Sequence, residues 1–336
     1  MDTWMNTNPA MKPIDQYVAS VQQQIGASAG AVCIIQGSKI LHEWYSGNHD
    51  FRPNSRPVDQ HSQFNVGSIR KTYLALAISL LFEQGRLDRV DDEIGKYLDE
   101  YIYMTQGITL RHLLTHSHGL YEHRGQLLRE FAPGQGWAYR NSGIDLLIRL
   151  IHRRSGLTLS EYVQQHFLFP YELNETGWRI AEQEQLIYNH YDEPDNWTGP
   201  NNSPDGDQGN LFVSARDLAS WGQLHLTEGL LEGKQLIPRH VFRRVTTPHS
   251  PAELGADQPL HGFVWWLQKQ TPLNQLGEEL PARSFQILGI TGCACLVIPE
   301  LDAVAVRMYN QLRNPPGYDY LQDIRSFGNQ VYHILR

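Results

Sequence analysis

The chain has 336 residues, 41% of them hydrophobic and 19% charged, with a formal net charge of -8. This composition excludes a disordered chain, and the acidic balance argues against an electrostatic nucleic-acid binder. The length suits one large domain or two intimate ones.

The opening residues, MDTWMNTNPAMKPIDQ, contain neither the basic nor the apolar stretch of a secretory signal. The longest apolar run, LALAISLLF, is too short to span a bilayer. Three cysteines, an odd number, fit a reducing compartment better than a disulfide framework. These features predict a cytoplasmic protein with no membrane association.

PIDQYVASVQQQIG spaces its apolar residues as an amphipathic helix does, and AGAVCIIQGSKILHEWYSG reads as two strands joined at Gln36-Gly37-Ser38. After a polar connection, the alanines, leucines and isoleucines between Ile69 and Phe82 predict a helix buried on most sides. Helical character continues through ITLRHLLTHSHGL, GIDLLIRLIHRRSG and LSEYVQQHFLFPYEL. YDEPDNWTGPNNSPDGDQGN is dense in turn-forming residues and reads as a long surface loop; it lacks the spacing of a calcium-binding EF-hand. Helical ARDLASWGQLHLTEG follows, then strands in HGFVWWLQK, SFQILGITGCACLVIPE and DAVAVRMYN, and a final amphipathic helix, DYLQDIRSFGNQVYHILR.

Strands at both ends with helices between them predict an α+β fold. Its antiparallel sheet is assembled from both termini and flanked by the N- and C-terminal helices, with a mostly helical second domain beside it. The expected boundaries are 1–66 with 205–336 for the discontinuous sheet domain and 67–204 for the helical domain. The active site is expected in the cleft between them.

Two segments could carry chemistry. In FNVGSIRKTYLALAISLLF, Ser68 stands three residues before Lys71, close to the predicted helix start. Orphan backbone donors and the helix dipole favour negative charge there, and Lys71 lies one turn on, within reach of the serine oxygen. Gly67 allows a close backbone approach. Average composition yields about one Ser-x-x-Lys per chain of this length, so an N-cap serine beside a solvated lysine fits the motif equally well. In FAPGQGWAYRNSGIDLL, Tyr139 and Asn141 flank one residue and can point the same way. A phenol near a lysine can relay a proton, and a carboxamide can orient lysine and substrate; a structural Tyr and a helix-capping Asn are the alternative.

With S-I-R-K at 68–71, Y-R-N at 139–141, and ITLRHLLTHSHGL, PGQGWAYRNSG, GNLFVSARDLASWG and LHGFVWWL in order, the chain resembles the serine β-lactamase and penicillin-binding-protein superfamily. The resemblance is to its class C β-lactamase-related branch, which includes esterases and D-aminopeptidases, and it covers nearly the whole chain. It implies Ser68 as acylated nucleophile, with Lys71 and Tyr139 sharing proton transfer, either of them as the base. Asn141 is implied to bond both Lys71 and substrate. The implied oxyanion donors are the N–H groups of Ser68 and, for an I-T-G-C register, Cys293.

The third motif departs from the Lys/His-Thr-Gly pattern. Ile290 occupies the cation's place, with Thr291 and Gly292 retained. An alkyl group cannot pair with a carboxylate, so penicillin-type substrates are disfavoured and an uncharged ester or small amide is expected. Arg140 and Arg283 are candidates for a charge arriving from another direction.

Other clusters read as structural. His112, His116, His118 and His123 suggest a metal site only by spacing, and His116 matches a structural position of the resemblance. Cys293 and Cys295 read as buried small apolar groups. The resemblance places the acidic loop beside the cleft and so implies Tyr191 or Trp197 as lining an acyl pocket; Trp265 and Trp266 read as sheet core, with alternate faces letting one of them approach the cleft.

The expected function is a serine hydrolase working through a covalent acyl-enzyme on a small molecule, with no metal or organic cofactor. The alternatives are a β-lactamase, D-alanyl peptidase or D-aminopeptidase, and a non-catalytic penicillin- or ligand-binding protein.

Overall fold

The computed structural model describes residues 7–99, 102–190 and 202–336. Helix α1 (Lys12–Ile25) buries one stripe, Ile14, Val18, Val21 and Ile25, and stops at Gly26, whose φ of 71° no β-carbon opposes. Strands β1 (Ala29–Gln36) and β2 (Lys39–Gly47) form the predicted hairpin. Its two turn residues, Gly37 and Ser38, both take positive φ, which matches the twist of the strands.

Strand β3 (Gln63–Asn65) runs through a 3-10 turn at Gly67–Ile69 into α2 (Arg70–Glu83), which is buried along nearly its whole length. The middle of the chain adds α3 (Ile102–Thr105), α4 (Leu110–Leu114), β4 (Leu120–His123) and β5 (Gln126–Arg129), then α5 (Ser142–Ser155), α6 (Leu159–Val163) and β6 (Thr176–Trp178). Next come β7 (Leu211–Ser214), α7 (Ala215–Leu226), β8 (Leu230–Leu231), β9 (Lys234–Gln235) and α8 (Arg239–Thr246). The C-terminal part contains β10 (Leu260–His261), β11 (Trp266–Leu267), β12 (Phe285–Leu288), β13 (Ala294–Ile298), β14 (Ala303–Tyr309) and α9 (Tyr320–Leu335).

The main sheet has the order β10-β11-β12-β13-β14-β1-β2, antiparallel throughout, so the first strands pair with the last as the sequence predicts. Alternation along β14 sends Val304 to the face covered by α7, where Gly222 leaves it room. Arg307 goes to the other face, beneath α9, and α1 packs against both α9 and β1. Helix α2 is gripped by α5, α6 and α8, and the indole of Trp221 on α7 stacks on Tyr73 and donates to Thr72 Oγ1. One continuous apolar core runs through the sheet and the helical part.

Three elements differ from expectation. The helix read across ITLRHLLTHSHGL is only α4, because His116 takes φ +57° and the chain turns into the β4–β5 hairpin. The HGFVWWLQK strand is split into β10 and β11 by Val264, also at positive φ. A small second sheet, β3-β7-β6, holds strands of three or four residues, too short for a period-2 pattern to show.

Arg307 is fully buried and its two terminal nitrogens bond the carboxylate of Asp323 on α9. Tyr17 on α1 donates to the same carboxylate at 2.8 Å, so one acid ties two helices to the sheet. Burial pushes the Asp323 carboxyl up, but the Arg307 charge and the hydrogen bonds outweigh it and hold it below its ordinary value. Asp323→Ala leaves a buried, unpaired guanidinium. It is expected to cost about 3–5 kcal/mol in denaturant unfolding, with the site chemistry unaltered in the folded fraction. Because the folded carboxyl is the stronger acid, its contribution is complete above the unfolded value near pH ~4 and fades as pH falls through the folded one.

Candidate active site

A cleft of about 650 Å³ opens between the helical part and the sheet. Ser68, Lys71, Tyr139, Asn141 and Ile290 all line it. The β3–α2 connection sets the serine. Asn65 Oδ1 accepts from Gly67 N–H at 2.9 Å, closing a turn over Val66, and Gly67 adopts φ +53°. Ser68 then lies in the 3-10 turn at the head of α2.

Lys71 is 1% exposed. Its Nζ donates to Ser68 Oγ at 3.2 Å and to Tyr139 Oη at 2.8 Å, and lies 4.0 Å from the centre of the Tyr139 ring. Desolvation pulls the Lys71 ammonium below its ordinary pKa, helped by the neighbouring Arg70 charge and opposed by Tyr139 and Asp145. Among the described groups, those two oxygens are the hydrogen-bond partners of Nζ. Asn141 starts α5, lines the cleft and is exposed; its carbonyl accepts from Asp145 N–H, but its side chain bonds neither Lys71 nor the helix end. Its carboxamide faces solvent-accessible space where a substrate can reach it.

Behind Tyr139 lies an aromatic layer. The His116 ring sits 4.4 Å from it, and Trp266 lies nearly parallel to it at 6.4 Å, so Trp266 is the tryptophan that approaches the cleft. Trp265 is core, edge-on to Phe285. Burial holds His116 well below its ordinary value and His261 and His118 at about 4, so all three are neutral at pH 7. His112 caps α4 by accepting from Thr109 N–H, and His118 accepts from Leu120 N–H. Among the described residues no cluster of His, Cys, Asp or Glu is arranged to hold a metal. Tyr191 and Trp197 lie outside the described residues.

The third motif is a hairpin turn. Leu288 pairs with Ala294, Gly289 N–H donates to Cys293 O, and Gly292 N–H donates to Gly289 O, so residues 289–293 form the loop between β12 and β13. Ile290 projects into the cleft and is 66% exposed. Thr291, Gly292 and Cys293 do not line the cleft, and Thr291 and Cys293 are fully buried. Thr291 Oγ1 donates to Asn65 O at 2.9 Å, the Cys293 thiol is fully buried, and Gly292 packs against Tyr309. The backbone that approaches the serine belongs to Ile290: a β-carbon on Gly67 would lie 3.1 Å from Ile290 N. Ile290 N–H donates no hydrogen bond among the described residues.

The two other candidate cations are engaged elsewhere. Arg140 forms a bidentate pair with Glu130 on the rim, and Arg283 pairs with Glu300 beside a different cavity. Sequence reasoning passed over Asn65, Arg70 and Asp145, which also line the cleft. Asn-x-Gly ahead of the serine is the one signal that could have exposed the first of them.

A search of solved structures returns a class C beta-lactamase, with a TM-score of 0.79 at 15% identity, covering 100% of this chain and 99% of that one. It also returns EstCE1, a hydrolase with promiscuous acyltransferase activity, at TM-score 0.73 and 17% identity, covering 95% and 98%. Among curated sequences, an uncharacterized protein of Alkalihalophilus pseudofirmus is 39% identical over 98% of this chain and 99% of its own length. Penicillin-binding protein 4* of Bacillus subtilis is 30% identical over 44% of this chain, an alignment that spans about a third of that protein (37%). Residues 14–326 match the beta-lactamase family, and the chain belongs to that family.

Proposed function

We propose that the protein is a serine hydrolase that cleaves a small ester or amide through an acyl-enzyme on Ser68. One observation carries this reading: a desolvated Lys71 bridges Ser68 Oγ and Tyr139 Oη inside a cleft. A lysine buried only for packing has no need of a nucleophile on one side and a proton carrier on the other.

Neutral Lys71 takes the Ser68 proton as Oγ attacks the acyl carbon. The tetrahedral oxyanion sits between the backbone N–H of Ser68 and a second N–H, assigned to Ile290 because that nitrogen lies beside Gly67 and donates no hydrogen bond among the described residues. The proton then passes through Lys71 and Tyr139 to the leaving alkoxide or amine, and the C–O or C–N bond breaks. Water attacks the acyl-enzyme along the same relay, releasing the acid and restoring Ser68. Asn141 has a free carboxamide for the acyl group. On the hairpin wall the substrate meets the alkyl group of Ile290, so no carboxylate is held there.

Intact-mass spectrometry after exposure to a fluorophosphonate is expected to show one adduct on the wild type and none on Ser68→Ala. The wild type is expected to form no stable adduct with a penicillin. Absence of any fluorophosphonate adduct on the wild type would favour a ligand-binding role instead.

Lys71→Arg, whose guanidinium stays charged, should lower kcat/KM by about 10²–10⁴ with the fold intact by circular dichroism. In the wild type, kcat/KM should rise with pH to a plateau as Lys71 loses its proton, with the midpoint below the ordinary lysine value. A rate flat across that limb would remove Lys71 as the base.

Gly67→Ala forces a β-carbon against Ile290 N and Cγ2 at 3.1 and 3.2 Å and strains a positive φ. The expected result is a loss of about 10²–10³ in kcat from the displaced donor, against only about 1–2 kcal/mol of unfolding stability.

A further inference from the structure

Ile290 removes one cation from the cleft, but the helical wall brings another. Arg70, the residue before Lys71, lines the same cavity and is only 7% exposed. Its Nη1 is buried without a hydrogen-bond partner, and no described carboxylate lies within ion-pair distance of the guanidinium. Asp145 on α5 and Asp207 lend it only longer-range support, and burial weakens its hold on the proton. A buried guanidinium with an unused donor is costly to keep, and a ligand that supplies the missing acceptor relieves that cost.

We propose that Arg70 is the anion anchor of this cleft and that the substrate is an ester or amide bearing a carboxylate. The planar guanidinium fork matches a carboxylate in two parallel hydrogen bonds. A single negative charge fits best, because Glu122 and Asp145 also line the cavity and oppose a more highly charged phosphate. The expectation of a wholly uncharged substrate rested on Ile290 alone; the hairpin wall is apolar, and the charge is read from the helical wall. The inference rests on the acyl-enzyme reading for the reaction, but the anchor itself needs no turnover.

The test uses two readouts on the full chain. The first is calorimetric titration with monomethyl glutarate of the wild type, Arg70→Met and Arg70→Lys. The second is the ratio of kcat/KM for mono-4-nitrophenyl glutarate to that for 4-nitrophenyl butyrate, which share a short acyl chain and differ in a terminal carboxylate. Binding to the wild type is expected to be at least tenfold tighter than to Arg70→Met, with Arg70→Lys between them. The kcat/KM ratio should exceed ten in the wild type and fall at least tenfold in Arg70→Met, mainly through KM.

Equal affinities, or a ratio that the substitution leaves unchanged, overturn the anchor. So does a variant that only shifts the acid limb of the pH profile, since Arg70 would then act solely on Lys71. Should Arg70→Met fail to fold, the wild type and Arg70→Lys decide: no binding of monomethyl glutarate by the wild type overturns the proposal. If hydrolysis persists in Ser68→Ala, the acyl-enzyme reading fails while the titration still decides the anchor.

Discussion

The structure is organised around taking the Lys71 amine out of water. An ammonium loses several kcal/mol of hydration on burial, so a lysine in that position gives up its proton more readily. That shift requires α2 to be enclosed on every side, and the fold supplies the enclosure from distant parts of the chain. Helices α5, α6 and α8 grip it, Trp221 stacks on Tyr73 in its first turn, and the β12–β13 hairpin closes over its head. Tyr139 is in turn held by His116 and Trp266, neutral rings that add no competing charge. The chemistry proposed at Ser68 thus rests on packing outside the cleft.

Membership of the beta-lactamase family leaves the substrate open, since one fold hosts many activities and the walls of the site decide among them. Here the walls are unlike each other. The β12–β13 hairpin presents Ile290, exposed and apolar, while the rest of the lining includes Arg70 on α2, Asp145 on α5 and Glu122 on β4. The Arg70 charge beside Lys71 also lowers the affinity of that amine for its proton. Under the proposed roles, recognition and reactivity are therefore coupled through adjacent residues of one helical turn.

How much was legible in the sequence follows from the range of each signal. Ser68 with Lys71, and Tyr139 with Asn141, are local patterns, and the structure brings all four to one cleft. The sheet built from both termini was readable because its long strands alternate or run apolar over five to nine residues. The third motif was not, because LGITGC fits a strand as well as a turn. Only the pairing of Leu288 with Ala294 places the loop, in which Ile290 lines the cleft and Cys293 does not. Nor does sequence reveal that Arg70 is buried, since a solvated arginine in a first helical turn looks the same on paper.

The pairing of β1 with β14 has a consequence for the order of assembly. Gly30 meets Tyr309 and Gln36 meets Ala303, so β1 finds its inner neighbour only after more than 250 further residues have been made. The peptide carbonyl of Asn65 likewise waits for the Thr291 hydroxyl. Such pairings close long loops late and slow the approach to the native state. Until then the β1–β2 hairpin exposes an apolar edge that a chaperone, or a neighbouring nascent chain, can occupy. Ser68 precedes β14 by more than two hundred residues, so the cleft around it closes only after the distant β12–β13 hairpin has docked.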